Sequence, residues 1–294
     1  SRLNSVWGYA PMGDKVGGLR HVGGFVHNLP QLMPHDKYFA KHPEYYAEIQ
    51  GDRRMMMYPS GSFTSHPCLS NPEVLNVVAD KLRQIIKESR KKIDFADDQY
   101  MIPVDYHDHD QVCQCVNCAR INREEETEGG TLFRFLNALS DELSKDFPHL
   151  ILSTLAYGPT LKPPKTALRQ NIALRYAPIR ADFARPLDDP GSPDNVKNMD
   201  CLKGWKASGN PLYVWYYAGN FNDDITPHAD LRGLDWNFKL LQDYGMRGMF
   251  VETVQHAGIE LKELRSYILA KKLWRPELVM SDLIEEFCQL YYGK

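Results

Sequence analysis

Residues 104 to 118 read VDYHDHDQVCQCVNC and place three aspartates, two histidines and three cysteines in fifteen positions. Such a stretch can bind a metal, supply a catalytic carboxylate beside a structural cross-link, or form a polar loop. Asp and His directly after a strand more often cap the next helix or tie down a loop than catalyse, so each member alone is weak evidence. Cys113, Cys115 and Cys118 are the clustered thiols of the six in the chain, and Cys68, in SHPCLSNP, is the obvious fourth. Four thiolates would make a closed tetrahedral zinc site, structural because no coordination position stays open. Only Cys115 and Cys118 have the usual C-x₂-C spacing, and two disulfides, or one disulfide and free thiols, would serve equally in an oxidising compartment.

The acid with the strongest claim to chemistry is Glu252, in GMFVETV. An acid at the end of an apolar strand is received by a packed core or by a functional pocket. Asp108 is its natural partner, because two carboxylates from different strands can flank a glycosidic bond and divide the acid and base or nucleophile roles. Tyr157, Trp215, Tyr217 and Asn220 offer ring faces and hydrogen-bonding groups of the kind a sugar needs, and His27, His107 and His109 are secondary contacts. In VWYYAGNF, alternation puts Trp215 and Tyr217 on one face and Tyr216 on the other, although aromatics so spaced are as often core.

These residues need elements to hold them. Apolar runs rich in β-branched and aromatic residues recur at 23–30, 100–109, 150–158, 172–180, 211–220 and 245–253, each followed by a polar cluster and most by a helix-period segment. SNPEVLNVVADKLRQIIKES has Ser70 or Asn71 as N-cap and Pro72 in its first turn, and ADLRGLDWNFKLLQDYG ends at Gly245 as a C-cap. Strand then helix, repeated, implies a parallel sheet. No glycine-rich phosphate loop follows any strand, and the 294 residues lie near the roughly 250 of a (β/α)₈ barrel, the predicted fold. Six strands, with RLNSVWGYA as a seventh, fall short of eight, which puts the first barrel unit or an N-terminal domain ahead of Ser1. The chain reads as one domain over 1–294, with insertions at about 31–70 and 181–200.

The composition is that of an ordinary globular chain, 43% hydrophobic and 25% charged. A net charge of −3 without a basic run gives no footprint for nucleic acid or an acidic membrane surface. No stretch reaches the roughly 20 apolar residues of a spanning helix, and the opening lacks the apolar core of a signal peptide.

KYFAKHPEYYAEIQGDRR, CLSNPEVLNVVADKLRQII, the D-x₄-C-x-C-x₂-C run from Asp108, GTLFRFLNALSDEL, LAYGPTLKPPK and LRSYILAKKLWRPELVMSDLIEEFCQLYYG together resemble the domain of unknown function numbered 4838, which became glycoside hydrolase family 163. The resemblance runs over nearly the whole chain. It implies a (β/α)₈ barrel behind a smaller N-terminal domain and a retaining endo-β-N-acetylglucosaminidase of gut or environmental bacteria, secreted, periplasmic or at the cell surface, acting on the chitobiose core of complex N-glycans. It matches Asp108 to the acid before the cysteine cluster and Glu252 to the acid ending the last barrel strand. Similar sequences carry Asn-Asp-Asn where this chain has His107, Asp108 and His109, and the histidines can alter the acid's pKa or the subsite.

With a 2-acetamido substrate the expectation is neighbouring-group participation, Asp108 orienting the acetamido group and Glu252 acting as acid and then base, or the reverse. Carboxyls roughly 5 Å apart without an acetamido pocket would instead mean ordinary double displacement. No cofactor is required, and zinc, if bound, is a staple. The alternatives are an exo-acting or α-glucuronidase-like glycosidase, a non-catalytic carbohydrate-binding barrel, and a metal-dependent hydrolase using Asp105, His107, Asp108 and His109.

Overall fold

The computed structural model describes residues 20–53, 56–57, 63–64, 66–91, 100–220, 228, 230–252 and 261–293. RLNSVWGYA lies outside them. The chain divides into two compact units, Leu19–Tyr176 with Gly204–Pro211, and Ala177–Lys203 with Leu212–Lys294 together with Ser1–Gly18.

The first unit starts with β1 (Arg20–His21), the short helices α1 (Leu29–Leu32) and α2 (His35–Tyr38), and an antiparallel pair, β2 (Met56–Met57) and β3 (Phe63–Thr64). Then come α3 (Pro72–Arg90), β4 (Tyr100–Pro103), α4 (Val116–Glu124), α5 (Gly130–Leu143), β5 (Ile151–Ala156) and β6 (Ile172–Tyr176). The strands pair in parallel in the order β1-β4-β5-β6, with Arg20 opposite Tyr100, Met101 opposite Ile151 and Leu152 opposite Ile172. All of β6 and all but the first residue of β5 are buried, as expected of parallel strands covered on both faces.

Helix α3 follows its sequence signals. The Asn71 side chain accepts the Glu73 N–H at 2.9 Å, Pro72 opens the first turn, and Val74, Val78, Leu82 and Ile86 bury one face. Within the predicted insertion at 31–70, described residues tie to one another: the Tyr46 hydroxyl donates to the Pro34 carbonyl at 2.9 Å, and Tyr46 bridges to Pro67.

The second unit contributes β7 (Leu212–Tyr217), α7 (Leu231–Asp243), β8 (Met246–Glu252), α8 (Lys262–Trp274) and α9 (Met280–Tyr292); α6 (Pro193–Ser208) precedes β7 and belongs in part to each unit. β7 and β8 are parallel, with Tyr217 opposite Glu252. Gly245, at φ +89, follows α7 as predicted for the end of that helix.

Two boundaries differ from expectation. The run at 23–30 is not a strand: Gly23 and Gly24 take φ of +78 and +114, which leave the β region, and β1 ends before them at His21. His27 and Asn28 therefore sit in the following loop, His27 itself at φ +53. The insertion placed at 181–200 ends at Ser192, since Pro193 opens α6. The fold is thus a parallel-strand α/β fold with six parallel strands among the described residues, against the eight of the predicted barrel. No helix among the described residues is long and apolar enough to cross a membrane.

Candidate functional site

In the first unit the candidate residues gather beyond the carboxyl end of β4. The chain leaves the sheet at Val104, whose N–H donates to the Ser153 carbonyl at 2.8 Å. Asp105 comes next and is buried. One carboxylate oxygen accepts the Leu155 N–H at 2.7 Å and the other accepts from the Arg175 guanidinium, while Asn28 takes the Asp105 N–H at 3.2 Å. Arg175 also donates to the Phe25 carbonyl at 2.6 Å. Asp105, Arg175 and Asn28 thus anchor two loops to the strand ends. This arrangement removes Asp105 from the metal-hydrolase alternative, because its oxygens face Arg175 and the backbone.

Beyond that anchor Asp108 is exposed, and the Tyr157 hydroxyl donates to its Oδ1 at 2.8 Å. Tyr157 directly follows β5 and is itself held: its N–H donates to Thr160 Oγ1 at 3.2 Å, and the Thr160 hydroxyl donates to the Leu155 carbonyl at 2.6 Å. Histidines flank the acid. The ring centroids of His27 and His107 are 5.9 Å apart, those of His107 and His109 6.2 Å, and His66 lies 4.0 Å from His109.

Backbone partners fix which nitrogen carries each ring's proton. Nδ1 of His107 accepts the Asp108 N–H at 2.7 Å, and Nδ1 of His109 accepts the Gln111 N–H at 3.2 Å, so both neutral rings carry hydrogen on Nε2. His27 is the opposite tautomer, its Nδ1–H donating to the Tyr106 carbonyl at 2.8 Å. Burial lowers the pKa of His107, helped by nearby His27, and burial with the neighbouring His107 brings His109 down to about 4. Burial holds His66 well below the usual range. The shifts favour the uncharged form of these three rings at neutral pH, so they add aromatic surface rather than positive charge to this end of the sheet.

In the second unit Glu252 closes β8 and is half-buried. The Trp215 indole N–H donates to its Oε2 at 2.8 Å, and the Glu252 carbonyl accepts the Ala218 N–H at 2.8 Å. Trp215 packs edge-on against Phe250, with centroids 4.4 Å apart, and lies 6.5 Å from Tyr217. Tyr216 packs against Phe183, with centroids 5.1 Å apart, and the same Phe183 ring lies 6.2 Å from Tyr217. Trp215 and Tyr217 are both more than nine-tenths buried, while Asn220, three residues beyond β7, is half-buried. Sequence reasoning missed Arg175, His66 and the buried pair of Asp230 with Arg265, 3.0 Å apart. A charged residue inside the apolar run IALRYAP was the available signal for Arg175, since a buried cation demands a counter-ion.

The four cysteines converge. Cys68 Sγ is 3.7 Å from Cys113 and Cys115 Sγ and 3.8 Å from Cys118 Sγ, and all four sulfurs lie within 4.8 Å of one another, all buried. These separations are far beyond the roughly 2.05 Å of a disulfide. CQCVNC is also more than a turn, since Cys115 caps α4 and Cys118 lies in its first turn. Among the described residues, this is the group of ligand-type side chains close enough to share an ion.

The chain matches, over residues 6–294, the family described as "Domain of unknown function (DUF4838)". No curated protein matches it. Solved structures similar to it include a bee venom hyaluronidase in complex with a hyaluronic acid tetramer, at 10% identity and a TM-score of 0.42 over 86% of this chain and 96% of that one. A GH36 α-galactosidase from Geobacillus stearothermophilus shares 10% identity with a TM-score of 0.38, covering 80% of this chain and 28% of its own. An α-L-fucosidase from Paenibacillus thiaminolyticus shares 12% identity with a TM-score of 0.36, covering 81% and 36%.

Proposed function

The chain belongs to the DUF4838 family, and from that premise we propose that it is a retaining glycoside hydrolase on a (β/α)₈ barrel, cleaving β-linked N-acetylglucosamine-containing glycans as an endo-β-N-acetylglucosaminidase of the N-glycan core. One observation carries the reading. In each unit a carboxylate at or past the carboxyl end of a parallel strand is hydrogen-bonded by an aromatic donor on, or just after, the adjacent strand: Asp108 by Tyr157, and Glu252 by Trp215. Carboxyl ends of parallel strands are where α/β folds carry their chemistry, and each donor fixes a carboxyl's orientation, as an acid or base acting on a bound sugar requires.

In this reading Asp108 accepts the N–H of the substrate's 2-acetamido group and polarises it, so that the acetamido oxygen attacks the anomeric carbon. Glu252, protonated, gives its proton to the departing glycosidic oxygen as that bond breaks. Water then enters, Glu252 takes its proton, and the new bond to the anomeric carbon replaces the bond to the acetamido oxygen with net retention. The Trp215 indole bond leaves Glu252 able to work in both directions, because an N–H donor on one oxygen tolerates either protonation state of the other. Tyr157, Trp215, Tyr217 and Asn220 belong to the sugar subsites, with His27, His107 and His109 as secondary contacts. No step calls for a cofactor. The substrate class fits a bacterial enzyme that meets glycoproteins outside the cytoplasm.

The test is release of glycan from a complex-type N-glycoprotein, followed by mass spectrometry, for the parent chain, Asp108→Asn and Glu252→Gln. Cleavage between the two core N-acetylglucosamines, reduced about 10²-fold or more in both variants, is expected. Glycan binding without release by the folded parent chain overturns the catalytic reading.

A further inference from the structure

We propose that Cys68, Cys113, Cys115 and Cys118 hold one zinc ion in a closed four-thiolate site, and that this ion positions the loop bearing Asp108 without taking part in chemistry. The first argument is metric. Sulfurs at the corners of a tetrahedron about 2.3 Å from a central zinc are about 3.8 Å apart, the bond length multiplied by about 1.63. The separations from Cys68 are 3.7, 3.7 and 3.8 Å. With all four sulfurs inside 4.8 Å there is room for one ion and not for a cluster of several metals. Soft thiolates exclude calcium and magnesium, and tetrahedral four-sulfur geometry selects zinc or a single iron.

The second argument is electrostatic and independent of the spacing. Four thiolates on a divalent ion carry a net charge of −2, which a protein interior must offset. The Arg53 guanidinium, which pairs with Glu48 Oε2 at 3.3 Å, also lies near enough to Cys68 and Cys113 to attract negative charge on their sulfurs, and the Glu48 N–H donates to Cys113 Sγ at 3.3 Å. Ser70 Oγ lies 3.1 Å from Cys118 Sγ. Cys115 and Cys118 also stand at the amino end of α4, where helix N–H groups favour negative charge. Arg53 is shared with Glu48, but a backbone N–H and a helix amino end directed at the sulfurs suit thiolates better than neutral thiols, as hydrogen-bond donors around a metal's ligands do.

The third argument is position. Cys113 follows Asp108 by five residues. Cys68 follows His66 by two, and His66 accepts the His107 N–H on its Nδ1 at 3.3 Å and packs on His109. One ion thereby grips the Asp108 loop from its own downstream side and, through His66, from the neighbouring segment. All four coordination positions are filled by protein, so no substrate or water is activated there. The inference does not depend on the glycosidase reading.

The experiment is elemental analysis of the purified full chain beside Cys115→Ser, Cys118→Ser and, as control, Cys288→Ser. One zinc per chain, lost in the first two and kept in the control, is the expected result. Cobalt(II) reconstitution should give the strong absorption of a tetrahedral cobalt thiolate, which reports the ligand set even if the serine variants do not fold. Iron in place of zinc, four freely titrating thiols in metal-free native protein, or a disulfide among the four overturns the site. For the positioning role, stripping zinc with a chelator should speed amide exchange at least severalfold between residues 104 and 113; unchanged exchange in demonstrably zinc-free protein overturns it.

Discussion

The Tyr157 hydroxyl and the Asp108 carboxylate form a hydrogen bond that can be deleted without disturbing the core, because Asp108 is exposed and the Tyr157 ring remains in Tyr157→Phe. A hydrogen bond to a charged group is worth about 1.5–3 kcal/mol, so kcat on a glycan substrate should fall about 10- to 100-fold while circular dichroism stays unchanged. Three residues upstream, the opposite outcome is expected. Arg175→Met leaves the Asp105 carboxylate buried without its cation, and breaking such a pair costs about 3–5 kcal/mol. The double variant with Asp105→Asn should recover much of that loss in urea unfolding, and failure to recover it would deny that the pair acts as a unit. Asp105 and Asp108 were not separable by residue type in VDYHDHD. What separates them is a partner 70 positions away in sequence, visible only once β6 lies in the same sheet as β4.

At the scale of elements, the long periodic segments announced themselves. Helix α3 buries one continuous stripe, α5 is buried around most of its circumference, and β5 and β6 are apolar runs of strand length, so local pattern and tertiary demand agree. β1 escaped because its two residues precede the apolar run that follows, and the glycines of that run break extended structure. Gly129, just before α5, marks a joint between elements. A Cβ there would lie 2.8 Å from Thr160 Cγ2 and 2.9 Å from Thr160 Cα. Gly129→Ala should therefore cost about 1–3 kcal/mol by overpacking. Thr160 also fixes the Tyr157 backbone, so kcat should fall in the same variant. Alanine tolerated with no loss of either stability or turnover would show that this contact yields freely.

For the molecule as a whole, buried neutral histidines set a pH dependence. Burial, with Arg175 nearby, holds His21 at about 4, and burial with the neighbouring His107 does the same to His109. Both shifts lie below the ordinary 6.5. As the pH falls from 6.5 towards 4, the unfolded chain binds protons that the fold refuses, so stability drops through that window and is restored on return to neutral pH. The urea midpoint should follow that course, and His21→Gln with His109→Gln should flatten it; an unflattened curve would assign the loss to other groups. Sheet order has a consequence in time as well. Arg20 pairs with Tyr100 and Leu152 with Ile172, spans of 80 and 20 residues by subtraction. Two doublings of loop length add about 1.2 kcal/mol of closure entropy. Refolding should therefore join β5 to β6 early and add β1 late. In pulse-labelled exchange, the Leu152 amide, bonded to the Asn171 carbonyl, should gain protection before the Val22 amide bonded to Met101. Protection in the reverse order would mean that the unfolded chain already brings its distant strand together.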